Sequence, residues 1–192
     1  MYVAIEGIDT CGKSTQIAEL KKIYSHAIFT REPGGSELGL ELREILLKKN
    51  LKVCKEAEVL LFLADRAEHT SEVLLPNQNK LIIADRSLIS GIAYAKDFAF
   101  EILKTLNLFA TSGVLPSKIV FLEISEAILK ERLENKRSDK IEMRGIEYLL
   151  DLQARIKEVI LKLGICSLSL DAGLTKEKIT EKIVEFIGKC DV

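Results

Sequence analysis

Short apolar runs alternate with longer amphipathic stretches along the whole chain. The short runs have the length of strands, and in residues 81–84 and 119–122 every position is apolar. Strands that are apolar on both faces are typical of parallel sheets covered by helices on both sides. The pattern predicts strands over 2–6, 27–31, 81–85, 118–124 and 165–170.

The longer stretches repeat apolar residues at helical spacing. We predict one helix that begins at Lys13, one that Ser125 caps and that runs to about 136, and others over 36–49, 55–74, 88–111, 145–163 and 176–190. Within 55–74, the expected core face is a stripe of Leu60, Leu63, Ala64 and Ala67. Alternating strands and helices predict a doubly wound α/β fold, with a five-stranded parallel sheet and helices on both faces. Ligands of such sheets bind beyond the carboxyl ends of the strands.

Composition, net charge and cysteine spacing limit the kinds of protein that this chain could be. The 192 residues are expected to form one domain, and 47% of them are apolar, which is enough for a substantial core. The formal net charge of −1 gives no reason to expect a surface that binds nucleic acid or a membrane. We see no signal peptide, and the densest apolar stretch, 59–64, is too short to span a bilayer. The four cysteines have no paired spacing, so we expect a cytoplasmic protein with free thiols.

Residues 7–14 fit the phosphate-loop pattern G-x-x-x-x-G-K-S/T without a mismatch. They follow a predicted strand and open a predicted helix, which is the context that the pattern requires. The glycines let backbone N–H groups approach phosphate oxygens, and the helix adds its positive end. We therefore expect ATP to bind here, with Lys13 on the β and γ phosphates and Ser14 on Mg²⁺. The expected nucleotide-binding residues are Gly7, Ile8, Asp9, Thr10, Cys11, Gly12, Lys13, Ser14 and Thr15.

Two polar residues, Asp85 and Arg86, lie at the end of the predicted strand 81–85. A carboxylate there would lie beside the phosphate loop, so Asp85 is a further candidate ligand of Mg²⁺, directly or through water. The structural alternative is that Asp85 caps a helix. Arg86 suits a phosphate clamp, because a guanidinium group can bind two oxygens at once.

Two helical faces predict a pocket for a base. Phe62, Arg66 and His69 lie at i, i+4 and i+7, away from the expected core face. A ring one turn from a guanidinium group could stack on a base while the guanidinium bonds its edge, although Phe62 could also be a core residue. A second stripe has small residues beside one ring, which is typical of a pocket wall or of a loosely packed helix start. It consists of Ser87, Ser90, Gly91 and Tyr94.

Several motifs resemble those of thymidylate kinases, in the same order and over nearly the whole chain. They are residues 6–9, 30–35 (Thr-Arg-Glu-Pro-Gly-Gly), 61–69, 85–94, 113–116 and 171–173. The resemblance implies a single nucleoside monophosphate kinase domain over 1–192, with the P-loop NTPase fold, that transfers a phosphoryl group from ATP to dTMP with Mg²⁺. It also implies a homodimer, through the predicted helices 55–74 and 88–111.

The resemblance assigns roles on the acceptor side. Asp9 would contact the sugar 3′-hydroxyl of dTMP, and Arg86 its phosphate. Phe62 would stack on thymine, Arg66 would hydrogen-bond the base, and Tyr94 would crowd the sugar C2′. The implied substrate contacts are Asp9, Arg31, Phe62, Arg66, Arg86, Ser90 and Tyr94.

On the donor side, the resemblance places Arg31 near the reacting phosphates and residues 171–173 near adenine. The implied catalytic residues are Asp9, Lys13, Arg86 and Arg137. The nucleophile would be a phosphate oxygen, whose second pKa is near ~6. Because it is already anionic at neutral pH, the reaction needs positioning and charge neutralisation and no general base.

Residues 132–144 form a basic run before the predicted helix 145–163. By itself the run is typical of a solvated helix end, but beside a phosphate loop it predicts a lid at about 134–145. Thymidylate kinases take a catalytic arginine from the phosphate loop or from the lid, and this phosphate loop has none. The resemblance therefore implies Arg137, assisted by Lys140 or Arg144. The positions that lack an arginine found in some relatives are Lys140 and Gln153.

Two other functions remain open from the residues. A deoxynucleoside kinase of the same fold would phosphorylate thymidine and would need a general base. A P-loop regulator would bind or hydrolyse ATP without a small acceptor. A GTPase is disfavoured, because Asn79-Lys80 is followed by Leu-Ile and the base-reading pattern Asn-Lys-x-Asp is absent.

Overall fold

The computed structural model describes residues 1–49, 51–134 and 145–188. Its sheet consists of β1 (Tyr2–Glu6), β2 (Ile28–Arg31), β3 (Ile82–Asp85), β4 (Lys118–Glu123) and β5 (Ser167–Asp171). All neighbouring strands are parallel, in the order β2-β3-β1-β4-β5. The predicted strands are confirmed. The three central strands, β1, β3 and β4, are buried on both faces and consist mostly of consecutive apolar residues.

The helices are α1 (Lys13–Ile23), α2 (Glu37–Arg43), α3 (Lys55–His69), α4 (Leu88–Tyr94), α5 (Phe100–Ala110), α6 (Glu126–Glu134), α7 (Ile146–Leu163) and α8 (Lys176–Gly188). One π-helical turn extends α2 (Glu44–Lys48), and another extends α3 (Thr70–Leu74). Helix α1 packs against α8, whereas α4 packs against α5 and α7. Among the described residues, no helix is both long enough and apolar enough to cross a bilayer.

The single helix predicted over 88–111 is wrong, because the structure has two helices there. After Tyr94 the backbone of Ala95 leaves the helical region, with φ −84° and ψ 51°. The N–H of Phe98 then donates to the carbonyl of Ala95 at 3.2 Å and closes a turn. Asp97 in this turn is 2.8 Å from the ammonium group of Lys55 at the start of α3. The turn between the two helices thus also makes a contact with a segment that is distant in sequence.

The predicted core face of α3 is also wrong. Only Leu63 of the apolar stripe is buried, whereas Leu60 is 60% exposed and Ala64 and Ala67 are exposed too. The buried polar residues of this helix are Asp65, Arg66 and His69. Helix α3 therefore turns charged side chains toward the protein interior and small apolar ones toward solvent.

The strand register brings the polar residues together at one edge of the sheet. Asp85, the last residue of β3, pairs with Ile5 of β1 on one side and with Arg31 of β2 on the other. The phosphate loop continues directly from β1. The carboxyl end of β3 therefore lies between the phosphate loop and the end of β2.

Candidate active site

The phosphate loop folds around its own lysine. Lys13 Nζ donates to the carbonyl oxygens of Gly7 and Ile8, both at 3.0 Å, and its side chain is buried. Gly12 precedes α1 with φ 105°, and no side chain caps this helix. The N–H groups of its first turn therefore lack a side-chain acceptor, which makes the loop and the helix start an anion-binding surface.

The loop is tightly packed on its inner side and open on its outer side. A Cβ at Gly7 would lie 2.6 Å from Cys11 Sγ and 2.8 Å from the carbonyl oxygen of Leu122, so no other residue fits there. Cys11 is buried, and burial raises the pKa of its thiol. Ser14 and Thr15, in the first turn of α1, are exposed. The exposed hydroxyls are thus the side chains that this turn offers to a ligand.

Arg86 lies between the phosphate loop and α4. Its Nη1 donates to the carbonyl oxygen of Gly7 at 3.1 Å and to Ser90 Oγ at 3.0 Å, and its Nη2 donates to Asp9 Oδ1 at 2.6 Å. The ring of Tyr94 is 5.2 Å from Arg86 Cζ. These predicted site residues therefore meet at one place, and Arg86 is the group that joins them.

Asp85 is not the cap of helix α4, so the structural alternative for this residue is wrong. Helix α4 is capped by Ser87, whose Oγ accepts from the N–H of Ile89. In the described part of the chain, Asp85 Oδ1 is buried and has no hydrogen-bond partner. A buried acceptor without a donor is costly, so this atom fits a bound cation or its water. Arg31, which pairs with Asp85 in the sheet, is exposed.

A buried carboxylate, Glu6, lies behind Arg86. It ends a strand whose other residues are apolar or aromatic, and none of its surface is exposed. Ser87 Oγ donates to its Oε1 at 2.7 Å, and Ser90 Oγ donates to its Oε2 at 2.5 Å. Burial raises the pKa of the Glu6 carboxyl, which these hydroxyls and nearby cations partly oppose. Glu6 lies in the motif of residues 6–9, but nothing in the sequence pattern indicated a role for it.

Arg66, the predicted base-reading residue, is buried in a polar network. Its Nε and Nη2 lie 2.8 Å from Glu32 Oε2, and its Nη1 donates to Asn107 Oδ1 at 2.6 Å. Its Nη2 also donates to the carbonyl oxygen of Ser87 at 3.3 Å. Among the described contacts, one Nη1 N–H of the five guanidinium N–H bonds lacks a partner. The base contact stays a prediction, and nothing in the sequence pattern indicated Asn107 as a partner.

The predicted stacking residue, Phe62, is half-buried and lies outside the core cluster. The alternative in which it is an ordinary core residue is therefore not supported. Gly91 on α4 lies against the guanidinium group of Arg66, where a Cβ would be 2.7 Å from Nη1. The absence of a side chain at this position lets α4 approach Arg66.

Glu32 joins the loop after β2 to helix α3. Besides Arg66, it accepts from His69 Nδ1 at 3.0 Å, and His69 Nε2 lies 2.7 Å from Thr30 Oγ1. Burial raises the pKa of Glu32, but the charges and N–H groups of Arg66 and His69 outweigh it and hold this pKa below its ordinary value. His69 therefore supports the loop from the interior.

The same loop is held at a second point. The N–H of Gly34 donates to Asp65 Oδ1 at 2.8 Å, whereas Asp65 Oδ2 is buried without a partner among the described residues. Burial, more than any other cause, raises the pKa of Asp65 to about 6. Arg43 Nη1 donates to the carbonyl oxygen of Pro33 at 2.7 Å. The backbone next to Arg31 is thus fixed by α2 and α3.

Arg132 connects the phosphate loop with the segment after β5. Its Nη1 donates to the carbonyl oxygen of Thr10 at 3.0 Å, and its Nη2 donates to that of Ala172 at 2.6 Å. The basic run suggested a solvated helix end or a lid, and gave no sign of this bridge. Gln153 is buried and bonds both the N–H and the carbonyl of Ile124, so it supports the end of β4.

The predicted catalytic residue of the lid, Arg137, lies outside the described residues, as do Lys140 and Arg144. Their assignment stays a prediction from the resemblance. The site that the structure describes therefore comprises the phosphate loop, the start of α4 and the inner face of α3.

Comparisons with known proteins give the family. Residues 5–183 match the sequence profile of thymidylate kinase. The chain is 58% identical over 184 residues to a thymidylate kinase of Wolinella succinogenes, covering 96% of each chain. It is 56% identical over 191 residues to a thymidylate kinase of Campylobacter jejuni subsp. doylei, covering 97% of this chain and all of the other.

A crystal structure of thymidylate kinase from Ehrlichia chaffeensis is similar in fold, with a TM-score of 0.75 and 22% identity, over 97% of this chain and 98% of that one. This likeness confirms the predicted P-loop NTPase fold. The profile covers most of the chain, and the named bacterial relatives are more than half identical to it over nearly their full length. The chain therefore belongs to the thymidylate kinase family.

Proposed function

We propose that this chain transfers the γ-phosphoryl group of ATP to dTMP, giving ADP and dTDP for the synthesis of dTTP. One observation carries the proposal most directly. The carbonyl oxygen of Gly7 accepts from Lys13 Nζ at 3.0 Å and from Arg86 Nη1 at 3.1 Å. The cation expected on the donor phosphates and the cation expected on the acceptor phosphate are therefore neighbours, as a direct transfer between two phosphates requires.

The donor site would be built from residues 7–15. Lys13 would exchange its contacts with Gly7 and Ile8 for phosphate oxygens, which are stronger acceptors for an ammonium group. The adenine would lie near residues 171–173, where the Arg132 guanidinium already bridges to the phosphate loop.

The residues present also fit Mg²⁺. Ser14 offers an exposed hydroxyl in the first turn of α1, and Asp85 offers a buried carboxylate oxygen without a partner in the described part of the chain. These are the hard oxygen ligands that Mg²⁺ prefers, with water completing its coordination. When bound, the ion would neutralise charge on the transferring phosphoryl group.

The acceptor site would receive dTMP between α3 and α4. Asp9 would bond the sugar 3′-hydroxyl and Arg86 the phosphate, while Phe62 would stack on the base. The free Nη1 N–H of Arg66 would donate to the base, which favours a carbonyl oxygen of thymine over the amino group of cytosine. Tyr94, beside Arg86, would border the sugar and disfavour ribonucleotides. Arg31 and Ser90 would complete the pocket.

Positively charged side chains would make the largest contribution to catalysis. The acceptor phosphate is already anionic, so the cations need only align it and stabilise the charge that spreads over the transferring group. Lys13 and Arg86 supply two of these cations within the described residues. We assign the remaining one to the lid, to Arg137 with help from Lys140 or Arg144.

We further propose that the protein is a cytoplasmic homodimer that uses an apolar surface on α3 and α5. On α3, the exposed stripe is Leu60, Ala64 and Ala67. On α5, Ile102 is 57% exposed and Phe109 is 84% exposed, one face of a helix that packs against α3. Exposed apolar residues on neighbouring helices are typical of protein interfaces.

The test is an ADP-release assay with ATP, Mg²⁺ and a panel of acceptors: dTMP, dUMP, dCMP, dGMP and thymidine. We expect ADP release that depends on dTMP, and an Arg66→Ala variant that loses dTMP affinity and base preference. Preference for thymidine would indicate a deoxynucleoside kinase, and ADP release that no acceptor stimulates would indicate a nucleotide-binding regulator. Either result would overturn the proposal, and unchanged base preference would remove Arg66 from it.

A further inference from the structure

Glu6 is a fully buried carboxylate to which the proposed reaction gives no task. It lies one residue before the phosphate loop, and both its oxygens are engaged by hydroxyl groups from the start of α4. In the described part of the chain, it has no ion pair with a lysine or arginine. A buried charge without an ion-pair partner costs stability, so its retention at this point calls for a local explanation.

The hydrogen bonds around Ser90 have a fixed direction. Ser90 Oγ has one proton, and Glu6, which can only accept when ionised, takes that proton at 2.5 Å. Arg86 Nη1 can only donate, so the same hydroxyl oxygen accepts from it at 3.0 Å. By taking the hydroxyl proton, the carboxylate holds Ser90 with a lone pair of its oxygen toward Arg86.

The other hydrogen bonds of Arg86 leave two N–H donors on one edge of its guanidinium group for a ligand. Nη1 is saturated by Ser90 and Gly7, and one Nη2 N–H is taken by Asp9. The Nε N–H and the second Nη2 N–H have no partner among the described contacts. Two such donors suit two oxygens of one phosphate group. Holding Nη1 fixes the plane of the guanidinium group and hence the direction of these donors.

We propose that Glu6 is a positioning residue for the acceptor phosphate, acting through the Ser90 hydroxyl on the guanidinium group of Arg86. This rests on the proposed function, in which Arg86 binds the phosphate of dTMP. Ser87 anchors the other carboxylate oxygen at 2.7 Å and at the same time caps α4, so the carboxylate is held from the helix itself. Ser90 then belongs to the site as the link between Glu6 and Arg86.

The test compares the binding of dTMP with that of thymidine, which lacks the phosphate. Calorimetric titrations would use the wild type, Glu6→Gln, Ser90→Ala and the double variant. We expect Glu6→Gln and Ser90→Ala each to raise the Kd for dTMP about tenfold, the effect of one charge-assisted hydrogen bond, and to change the Kd for thymidine less than about twofold. The double variant should bind dTMP no more weakly than Ser90→Ala alone, because both substitutions interrupt the same chain of hydrogen bonds from Glu6 to Arg86.

Glu123→Gln is a matched control. Glu123 ends β4 as Glu6 ends β1, but it pairs with Lys157 in an exposed ion pair at 2.9 Å. This variant should bind both ligands like the wild type. If Glu6→Gln does not fold, Ser90→Ala alone tests the path.

Three results would overturn the inference: equal weakening of dTMP and thymidine, unchanged dTMP binding in Ser90→Ala, or additive losses in the double variant. Failure of the proposed function has a different signature. A wild-type protein that binds thymidine as tightly as dTMP would remove Arg86 from the phosphate before any variant is compared.

Discussion

Arg66 Nη1 lies 2.6 Å from Asn107 Oδ1, so a hydrogen bond between two buried side chains ties α3 to α5. Asn107 donates its own amide to the carbonyl oxygen of Leu103, one turn earlier on α5, which fixes the orientation of its acceptor. The proposed base-reading guanidinium is thus held from a helix that also carries the exposed apolar surface.

Asn107→Ala should lower the free energy of unfolding by about 1–3 kcal/mol, because a buried guanidinium N–H loses its acceptor. Urea denaturation would measure this loss. Thr105→Ala is the control, since Thr105 lies on the same helix and bonds the carbonyl of Glu101 at an exposed position. The control should stay within about 0.5 kcal/mol of the wild type. Equal losses in the two variants would contradict a specific role of the Asn107 bond.

Gly91→Ala should weaken dTMP binding and destabilise the protein, because the added Cβ would lie 2.7 Å from Nη1 and 2.8 Å from Nη2 of Arg66. Overpacking of this kind costs about 1–3 kcal/mol. Gly188→Ala is the matched control, since Gly188 is also helical but a Cβ added there would meet open space. We expect a higher KM for dTMP and a lower Tm in Gly91→Ala only. Wild-type values of both in Gly91→Ala would show that Arg66 moves aside without consequence.

Lys13→Ala should lower kcat about 10²–10³-fold, the usual effect of removing one group that stabilises transition-state charge. The Kd for dTMP should change little, because Lys13 is assigned to the donor phosphates. Lys22→Ala removes the same charge from the exposed side of α1, where Lys22 pairs with Glu19 at 3.0 Å. This control should keep wild-type turnover. Turnover within a few-fold of the wild type in Lys13→Ala would refute the assignment.

The pH dependence of stability should carry a contribution from Asp65. Burial raises its pKa from the ordinary 3.8 to about 6 in the folded protein. Between these values the folded state keeps a proton that the unfolded chain has lost, so this contribution to stability is present below about pH 4 and is lost as the pH rises through about 6. Asp65→Asn removes the titration. From about pH 4 to pH 7.5, the wild type should lose on the order of 2 kcal/mol of unfolding free energy relative to Asp65→Asn.

The control for this measurement is Asp97→Asn. The hydrogen bond from Lys55 lowers the pKa of Asp97, which is the opposite direction. The stabilisation from Asp97 is therefore present above its ordinary pKa and lost as the pH falls. The free energy of unfolding of the wild type should thus rise relative to that of Asp97→Asn as the pH rises. A difference between wild type and Asp65→Asn that stays constant with pH would mean that Asp65 titrates normally.

The strands and the phosphate loop could be predicted because both depend on local pattern. A parallel strand that is buried on both faces needs consecutive apolar residues, and a phosphate loop needs its glycines and lysine at fixed spacing. The buried face of α3 could not be predicted in this way. Unpaired charges are costly to bury, so the local pattern placed Arg66 away from the core face, on the wall of a ligand pocket. Its partners Glu32 and Asn107 are 34 and 41 residues away and make burial favourable.

Two other features also depend on contacts between segments that are distant in sequence, so the local pattern did not predict them. The break between α4 and α5 has no glycine or proline in residues 95–99 to mark it, and the ion pair with Lys55 forms only in the folded chain. Arg132 belonged to a basic run, and only the folded chain brings Thr10 and Ala172 to its two Nη atoms. The motifs predicted the candidate site, whereas the contacts that support its residues come from segments distant in sequence.

Phe109→Glu should convert the proposed dimer into monomers. Phe109 is 84% exposed on α5, a helix that packs against α3. Burying such a ring is worth about 2 kcal/mol, and burying an unpaired carboxylate in its place costs more, so the dimer Kd should rise at least about 30-fold. Leu161→Glu, on α7, makes the same kind of change at a residue that is 72% exposed but lies outside this surface. Sedimentation at micromolar concentration should give monomers for Phe109→Glu and dimers for Leu161→Glu and the wild type. A monomeric wild type, or dissociation in both variants alike, would refute the assignment of this surface.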